Sequence, residues 1–283
     1  MLAERPLELV GQVALGGVTF SLGPDRKRSG DIATIRAAAD AGIRIFDSAR
    51  VYAPVDDPQH NERLFAHALK GRSDVLISTQ GGHFRTGQET WDVDNSAARL
   101  RQDVAASLDA LGVERIGLYY LHRADAPHPI GESVSVLDEM RREGKIQRIG
   151  LSNVTAAQLE EAHSITSIDA VQNHHGVAHA DSSGVLRLCE KLSIPFFAYY
   201  PLRRDDGRPY SEGFPRMGAL AADRVISLAR LLLRALLESS PVMSVVSGAS
   251  RAESAMDSAA ALTEVWDEEL ESAWQEDVLA MRT

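Results

Sequence analysis

The sequence predicts an α/β fold of the (β/α)8 TIM-barrel class, with an N-terminal β-hairpin and an extra C-terminal helix, built as a single domain over residues 1–283. Three observations predict this fold. Eight short apolar segments alternate with helical segments, and such alternation requires a parallel sheet. The length of 283 residues suits one barrel of roughly 250 residues. No linker, low-complexity tract or change of composition divides the chain.

The predicted strands are short aliphatic and aromatic runs, and the predicted helices are segments in which apolar residues recur every three or four positions. After a hairpin over residues 7–15 that turns at Gly11, the strands lie at residues 43–46, 75–78, 116–121, 146–149, 168–171, 196–199 and 243–246. The helices lie at residues 31–41, 60–69, 95–111, 132–142, 156–163, 183–192, 222–237, 251–262 and 267–279. Gly42 and Gly112 follow two of these helices, at the position where a left-handed residue commonly ends a helix.

An open, doubly wound α/β sheet is the alternative fold. Such sheets bind dinucleotides through a G-x-G-x-x-G segment after the first strand. Gly16 and Gly17 follow the first predicted strand here, but without that spacing. Eight consecutive units therefore favour closure into a barrel.

Composition and charge restrict the partners of this chain. It carries 30 Lys and Arg against 40 Asp and Glu, and the net charge of −10 disfavours nucleic acid and anionic membrane. Cys189 is the only cysteine, so no disulfide can form within the chain. The N-terminus lacks the apolar run of a signal peptide, and the apolar segment 226–237 is too short to span a bilayer. We expect a cytoplasmic protein, a monomer or small homo-oligomer, that acts on a small molecule.

Polar and aromatic side chains follow the C-terminal ends of seven of the eight predicted strands. In a barrel of parallel strands, this end carries the active site. A lone histidine or Ser-Asn pair is more commonly structural, but a tyrosine, a histidine and several amides at one rim together favour a site. The residues are Asp47, Tyr52, Gln80, His122, Ser152, Asn153, Gln172, Asn173, Tyr199, Tyr200 and segment 247–251.

Five segments of the chain resemble the aldo-keto reductases. They are FDSARVY around Tyr52, SLDALGVERIGLYYLHR through His122, EGKIQRIGLSN through Asn153, AYYPL around Tyr199, and SVVSGASR near the C-terminus. They occur in the family's order and at its spacings, across nearly the whole chain. The resemblance implies a (β/α)8 barrel that binds NADP(H) without a Rossmann domain and reduces aldehydes or ketones by hydride transfer.

The resemblance also implies roles for individual residues. Tyr52 would be the general acid beside Asp47, and His122 would orient the carbonyl and stabilise the developing oxyanion. Three polar residues match those that hold the nicotinamide carboxamide, Tyr199 matches the ring that stacks on it, and a later segment matches the site of the 2′-phosphate. The implied cofactor-binding set is Ser152, Asn153, Gln172, Tyr199, Tyr200, Leu202, Ser247, Gly248, Ser250 and Arg251, with Asp257 and Ser258 near the adenine.

Gln80 departs from the family pattern. The family carries a lysine where this chain reads Ser-Thr-Gln-Gly-Gly, and that ammonium lowers the pKa of the tyrosine. Gln80 can donate a hydrogen bond but supplies no charge. We therefore expect an atypical catalytic tetrad whose tyrosine keeps a pKa near its free value of ~10.

Four histidines are predicted to face the same rim: His83, His122, His174 and His175. Their spacing is not that of a metal site, so no metal is expected, but a histidine could supply a new general base. The alternative function is therefore a non-redox lyase or dehydratase, or a cofactor-binding pseudoenzyme. Loops 52–61, 82–93, 123–129 and 203–218 are rich in Arg, Asp and His, which favours a sugar-like or acidic carbonyl substrate.

Overall fold

The computed structural model describes residues 8–22, 28–124, 127–179, 184–204 and 207–281. Its strands are β1 (Val13–Gly16), β2 (Ile45–Asp47), β3 (Leu76–Gly81), β4 (His83–Arg85), β5 (Trp91–Val93), β6 (Leu118–Leu121), β7 (Ile149–Ser152), β8 (Ala170–His174), β9 (Phe196–Tyr199) and β10 (Met243–Gly248). Eight of them close into a barrel in the order β1-β10-β9-β8-β7-β6-β3-β2, and all neighbours pair in parallel. The predicted fold class is confirmed.

Helices cover the outside of this barrel. They are α1 (Val18–Ser21), α2 (Arg28–Asp40), α3 (His60–Ala68), α4 (Ala97–Leu111), α5 (Ile130–Arg142), α6 (Ala156–Ile165), α7 (Val185–Leu192), α8 (Pro215–Asp223), α9 (Leu228–Glu238), α10 (Ala252–Ala260) and α11 (Glu268–Met281). Ser96 caps α4 and Thr155 caps α6 through side-chain hydrogen bonds to the first turn, as expected of N-cap residues. Within the described part of the chain, none of the helices has the length and apolar character needed to cross a membrane.

Alternate residues of each barrel strand enter two different apolar clusters. Residues such as Ile45, Leu118 and Phe197 belong to a smaller cluster of buried side chains, whereas Phe46, Tyr119 and Phe196 pack in the larger cluster that includes the helices. This division follows from the two-residue period of a strand. Packing is close at Gly150, where a Cβ atom would lie 2.2 Å from the Tyr120 ring.

The N-terminal hairpin differs from the prediction. No strand precedes Val13 among residues 8–12, and residue 7 lies outside the described part of the chain. β1 instead pairs in parallel with β10 on one side and β2 on the other, so neither of its edges is available to a hairpin partner. The hairpin that does form, β4 with β5, follows β3 at the C-terminal end of the barrel.

Two further predictions change at element boundaries. The single helix predicted over residues 222–237 is divided into α8 and α9, because Val225 takes a positive φ of 57° and Ser227 caps the second helix. The strand predicted at 146–149 begins at Ile149, since Ile146 makes only an isolated bridge to Ile116. The extra C-terminal helix is confirmed as α11, which packs on α8.

Candidate active site

A cavity of about 490 Å³ opens at the C-terminal ends of the barrel strands. Its wall brings together residues that are far apart in sequence, because neighbouring parallel strands all end at this rim. The predicted site residues that line it are Asp47, Tyr52, His122, Ser152, Asn153, Gln172, Tyr199, Tyr200, Gly248 and Ser250. The rim predicted from the sequence therefore corresponds to one connected surface.

Four predicted site residues do not line this cavity. Gln80 is fully buried behind it, and Leu202 packs against the apolar core. Ser247 is buried and its hydroxyl hydrogen-bonds the Ser258 hydroxyl at 2.9 Å. Arg251 is exposed at the N-terminus of α10.

The residues expected near the adenine are held by internal contacts. The Asp257 carboxylate accepts a hydrogen bond from the Ser227 hydroxyl and pairs with the Arg230 guanidinium at 3.1 Å. Ser258 is bound to Ser247 as described above. Both side chains therefore contribute to the contact between α9, α10 and β10.

Asp47 lies at the closed end of the cavity and is only 3% exposed. Its carboxylate accepts hydrogen bonds from the Ser78 hydroxyl at 2.8 Å and from the Gln80 amide at 3.1 Å. Burial raises the pKa of Asp47 to about 6, against the lowering effect of these hydrogen bonds. The same Gln80 amide nitrogen donates to Gln172 at 2.9 Å, while the Gln80 carbonyl oxygen is buried without a partner among the described residues.

Tyr52 ends a short 3-10 helix, Arg50–Tyr52, that follows β2. Arg50 holds this turn in place through a 2.7 Å ion pair to the buried Asp103. Burial raises the pKa of Tyr52 well above its usual value, and the nearby Asp47 carboxylate adds to the effect. At neutral pH Tyr52 is therefore a neutral phenol.

His122 faces Tyr52 edge to face, with 5.9 Å between the ring centroids. It is 6% exposed, and burial lowers its pKa well below the usual value, with His83 and Arg123 adding to the effect. The imidazole is therefore neutral at pH 7. Its Nδ1 atom has no hydrogen-bond partner among the described residues.

Asn153 organises the opposite side of the cavity. It takes a left-handed conformation with a φ of 58°, a conformation that asparagine tolerates better than most residues. Its side chain accepts a hydrogen bond from the Tyr199 hydroxyl at 2.5 Å and donates to the Ser152 hydroxyl at 3.0 Å. These contacts fix the Tyr199 phenol at the cavity wall.

The hairpin of β4 and β5 contributes three side chains to the cavity wall, of which His83 was predicted to face the rim and Arg85 and Trp91 were not. His83, Arg85 and Trp91 line the cavity, and Arg123 lines it from the loop after β6. His83 packs on His122 at 5.0 Å, and burial lowers the pKa of His83 to about 4. The signal for this hairpin was Gly87, a turn residue between two segments with aromatic residues.

The four predicted rim histidines do not form one group. His83 and His122 line the cavity, whereas His174 stacks on His179 at 4.0 Å and His175 packs on Phe196. His174 reaches the site only through Tyr199, on which it stacks at 5.5 Å, and Tyr200, which it meets edge to face at 5.8 Å. In the described ranges, no group of three or more His, Cys, Asp and Glu side chains is arranged to hold a metal ion.

Comparison with known proteins agrees with this geometry. A profile of the aldo/keto reductase family matches residues 12–276. An uncharacterised oxidoreductase of Schizosaccharomyces pombe is 33% identical over 220 residues, which cover 78% of this chain and 70% of the yeast protein. An aldo-keto reductase of Gibberella moniliformis is 31% identical over 191 residues, which cover 66% of this chain and 56% of that protein.

Solved structures share the whole fold. The glycerol dehydrogenase of Gluconobacter oxydans superposes with a TM-score of 0.80 at 25% identity, covering 98% of this chain and 93% of that chain. An aldo/keto reductase of Klebsiella pneumoniae, solved with NADP and acetate, superposes with a TM-score of 0.79 at 24% identity over 94% of this chain and 91% of that chain. With the family profile covering the barrel from β1 to α11, the chain belongs to the aldo/keto reductase family.

Proposed function

We propose that this chain is an NADP(H)-dependent oxidoreductase that reduces an aldehyde or ketone, with Tyr52 as the general acid. The observation that carries the proposal is the pair of neutral rings, Tyr52 and His122, that meet edge to face at 5.9 Å in the wall of the rim cavity. A phenol and an imidazole so placed can both donate to one carbonyl oxygen. The oxidoreductase relatives support this reaction class.

Tyr52 supplies the proton in this mechanism. Carbonyl reduction needs a proton at the carbonyl oxygen, and a phenol whose pKa lies well above 10 is fully protonated at neutral pH. Neutral His122 donates a hydrogen bond to the same oxygen and stabilises the negative charge that develops there. Asp47 resists loss of the phenol proton, because its negative charge disfavours the phenolate.

The cavity wall fits a nicotinamide group. Ser152, Asn153 and Gln172 present hydroxyl and amide groups, and Tyr199 presents a ring whose hydroxyl is fixed by Asn153. At Gly248 the wall is open, since a Cβ atom there would meet no atom within 4 Å. NADP(H) bound along this wall supplies the hydride. The Klebsiella pneumoniae relative of the same fold was solved with NADP.

Gln80 occupies, in this proposal, the position of the family's lysine. Its amide reaches Asp47 and Gln172 but brings no positive charge to the buried Asp47. A cation at this point would stabilise the phenolate and lower the pKa of Tyr52. The chain therefore works with a tyrosine whose pKa is raised, not kept near its free value as the sequence predicted.

Replacing the phenol tests the general-acid role. We expect Tyr52→Phe to lower kcat for NADPH-dependent aldehyde reduction by roughly 10²- to 10⁴-fold, because one general acid contributes about that much. NADPH binding, followed by quenching of intrinsic fluorescence, should stay unchanged. A variant that keeps its rate would contradict the assignment of Tyr52.

The uncharged Gln80 also favours a second candidate, a redox-neutral lyase or dehydratase that uses His122 and Tyr52 as acid and base. Gln80→Lys separates the two functions. A reductase should gain activity, because the ammonium pairs with Asp47 and eases proton release from Tyr52. A lyase should lose its native reaction. Gln80→Met, which fills similar space without a charge, is the matched control, and a reductase rate that falls equally in both variants would oppose the reductase.

A further inference from the structure

The charges on the cavity wall are unequally distributed. Among the described residues that line it, the charged side chains are Asp47, Arg85 and Arg123. Asp47 lies at the closed end, where Ser78 and Gln80 hydrogen-bond its carboxylate. Arg85 is the last residue of β4 and Arg123 belongs to the loop after β6, so the part of the wall nearest the hairpin is positive.

Arg123 has no counter-ion within the described part of the chain. It directly follows His122 and is exposed. Its backbone carbonyl accepts a hydrogen bond from the Asn95 amide at 2.9 Å, but its guanidinium forms no hydrogen bond or ion pair with a described residue. Its charge nevertheless acts on the catalytic rings, since it lowers the pKa of both His83 and His122. The guanidinium therefore lies close to the reacting centre, and none of its donors is taken by a described residue.

Arg85 is held in place without being neutralised. Its Nε donates to the Val51 carbonyl at 3.1 Å, and its guanidinium lies 5.1 Å from the centre of the Trp91 ring. Those partners carry no negative charge. The Arg85 Nη1 also donates to the Gln88 carbonyl, so the nitrogen that remains to meet a carboxylate is Nη2, which has no partner among the described residues.

We propose that Arg123 and Arg85 form a carboxylate-binding subsite beside Tyr52 and His122, so that the chain takes carbonyl substrates that also carry a carboxylate. This inference rests on the proposed function for the carbonyl chemistry. The arginines supply only binding and orientation. Two cations without a counter-ion among the described residues favour an anion at this wall, and the same charges repel cationic aldehydes.

Binding of unreactive probes tests the subsite without relying on turnover. We expect benzoate to bind at least about 10-fold more tightly than benzamide in isothermal titration calorimetry, since hydrogen bonds to charged groups discriminate by roughly that factor or more. Arg123→Gln should remove the preference. Arg115→Gln, which removes the same charge at an exposed position near the opposite end of the barrel, should retain it. Equal binding of benzoate and benzamide would overturn the proposal.

The second test of the subsite measures the rate of aldehyde reduction. For 4-carboxybenzaldehyde against methyl 4-formylbenzoate, we expect kcat/KM to favour the acid about 10-fold, through KM, and to become equal in Arg123→Gln. If benzoate binding depends on Arg123 but neither aldehyde is reduced, the result would contradict the proposed function and support the carboxylate subsite. If both aldehydes are reduced at equal kcat/KM and benzoate binds no better than benzamide, the result would support the proposed function and contradict the carboxylate subsite.

The anion recognised by Arg123 could also be a phosphate of the cofactor, and NADPH titration distinguishes the two sources. We expect Arg123→Gln to bind NADPH as the parent protein does. A variant that loses NADPH affinity and keeps its preference for benzoate would assign Arg123 to the cofactor and overturn the proposal.

Discussion

At the scale of single residues, burial controls the protonation of the site. Tyr52, His83 and His122 are all kept neutral because removal from water disfavours their charged forms. Asp47, buried in the same cavity, has its pKa raised to about 6 and is mostly ionised at pH 7. A neutral donor pair beside a single carboxylate suits proton delivery.

His83 should make the protein sensitive to acid. Its folded pKa of about 4 lies below the unfolded value near ~6.5, so below pH ~6.5 the unfolded chain binds the extra proton and stability falls. We expect His83→Gln to lose less stability than the parent between pH 7 and pH 5, by about 2 kcal/mol, in urea unfolding.

The raised pKa of Asp47 acts in the opposite direction, because the folded protein binds its proton first as the pH falls through about 6. The parent protein and the His83→Gln variant both contain Asp47, so the difference between their pH dependences of stability is due to His83. The exposed helix residue His67 gives the matched control, His67→Gln, which should follow the parent. Identical pH dependence in all three proteins would mean that His83 is not buried as described.

Residue identity at the rim could be predicted because each side chain follows a strand end, and parallel strands bring such ends together. His83 and the loops that carry Arg85, Trp91 and Arg123 were predicted to lie at the rim, but these three side chains were not, since their place in the wall depends on how the hairpin and the loop after β6 fold over the barrel. Ser247 and Asp257 were predicted near the cofactor but do not line the cavity. Their sequence setting matched a cofactor site, but neighbouring side chains already hold their polar atoms.

At the scale of elements, α11 is joined to the barrel through one buried carboxylate. Asp277, 2% exposed, accepts hydrogen bonds from the Met217 and Arg216 amides at 2.9 and 3.3 Å, at the N-terminus of α8. Phe214 and Trp274 stack beside it with 5.5 Å between centroids. The acid thus satisfies amides that have no partner within their own helix.

We expect Asp277→Ala to destabilise the protein by about 1–2 kcal/mol, the usual cost of losing an N-terminal cap. Urea unfolding measures it. Glu276→Ala removes the neighbouring acid, whose pairing with Arg216 is at the surface, and should change stability far less. Equal effects of the two substitutions would show that Asp277 does not act as the cap.

Element boundaries were harder to predict than element types. The apolar run over residues 222–237 has a helical period throughout, and only Ser227 marks the second start. Likewise Ile146 and Ile149 are both apolar, and pairing with β6 decides which of them is in the strand. These boundaries depend on pairing with elements that are distant in sequence, and the local sequence pattern carries no information about that pairing.

At the scale of the whole molecule, the closed barrel gives one folding unit whose stability should respond to any ligand bound at the rim. NADPH at 100 times its Kd should add about 2.7 kcal/mol, or a rise in Tm of roughly 5–10 °C. Arg251, exposed at the N-terminus of α10, is proposed to receive the 2′-phosphate.

We therefore expect Arg251→Ala to reduce the thermal shift given by NADPH and to leave unchanged the smaller shift given by NADH, which lacks that phosphate. Differential scanning fluorimetry at matched cofactor concentrations measures both. Equal loss for the two cofactors would place Arg251 outside the phosphate site, and the absence of any shift from either would contradict cofactor binding by this barrel.

The hairpin of β4 and β5 has one more consequence. Pairing of β3 with β6 ends at Gly81, and the Asp94 amide donates to the Gly82 carbonyl at 2.8 Å, which closes the base of the hairpin. The segment between Gly82 and Asp94 is thus an insertion on an intact scaffold. An engineer could graft another segment there to alter the choice of substrate, and a graft that keeps His83, which lowers the pKa of His122, would leave the chemistry beneath unchanged.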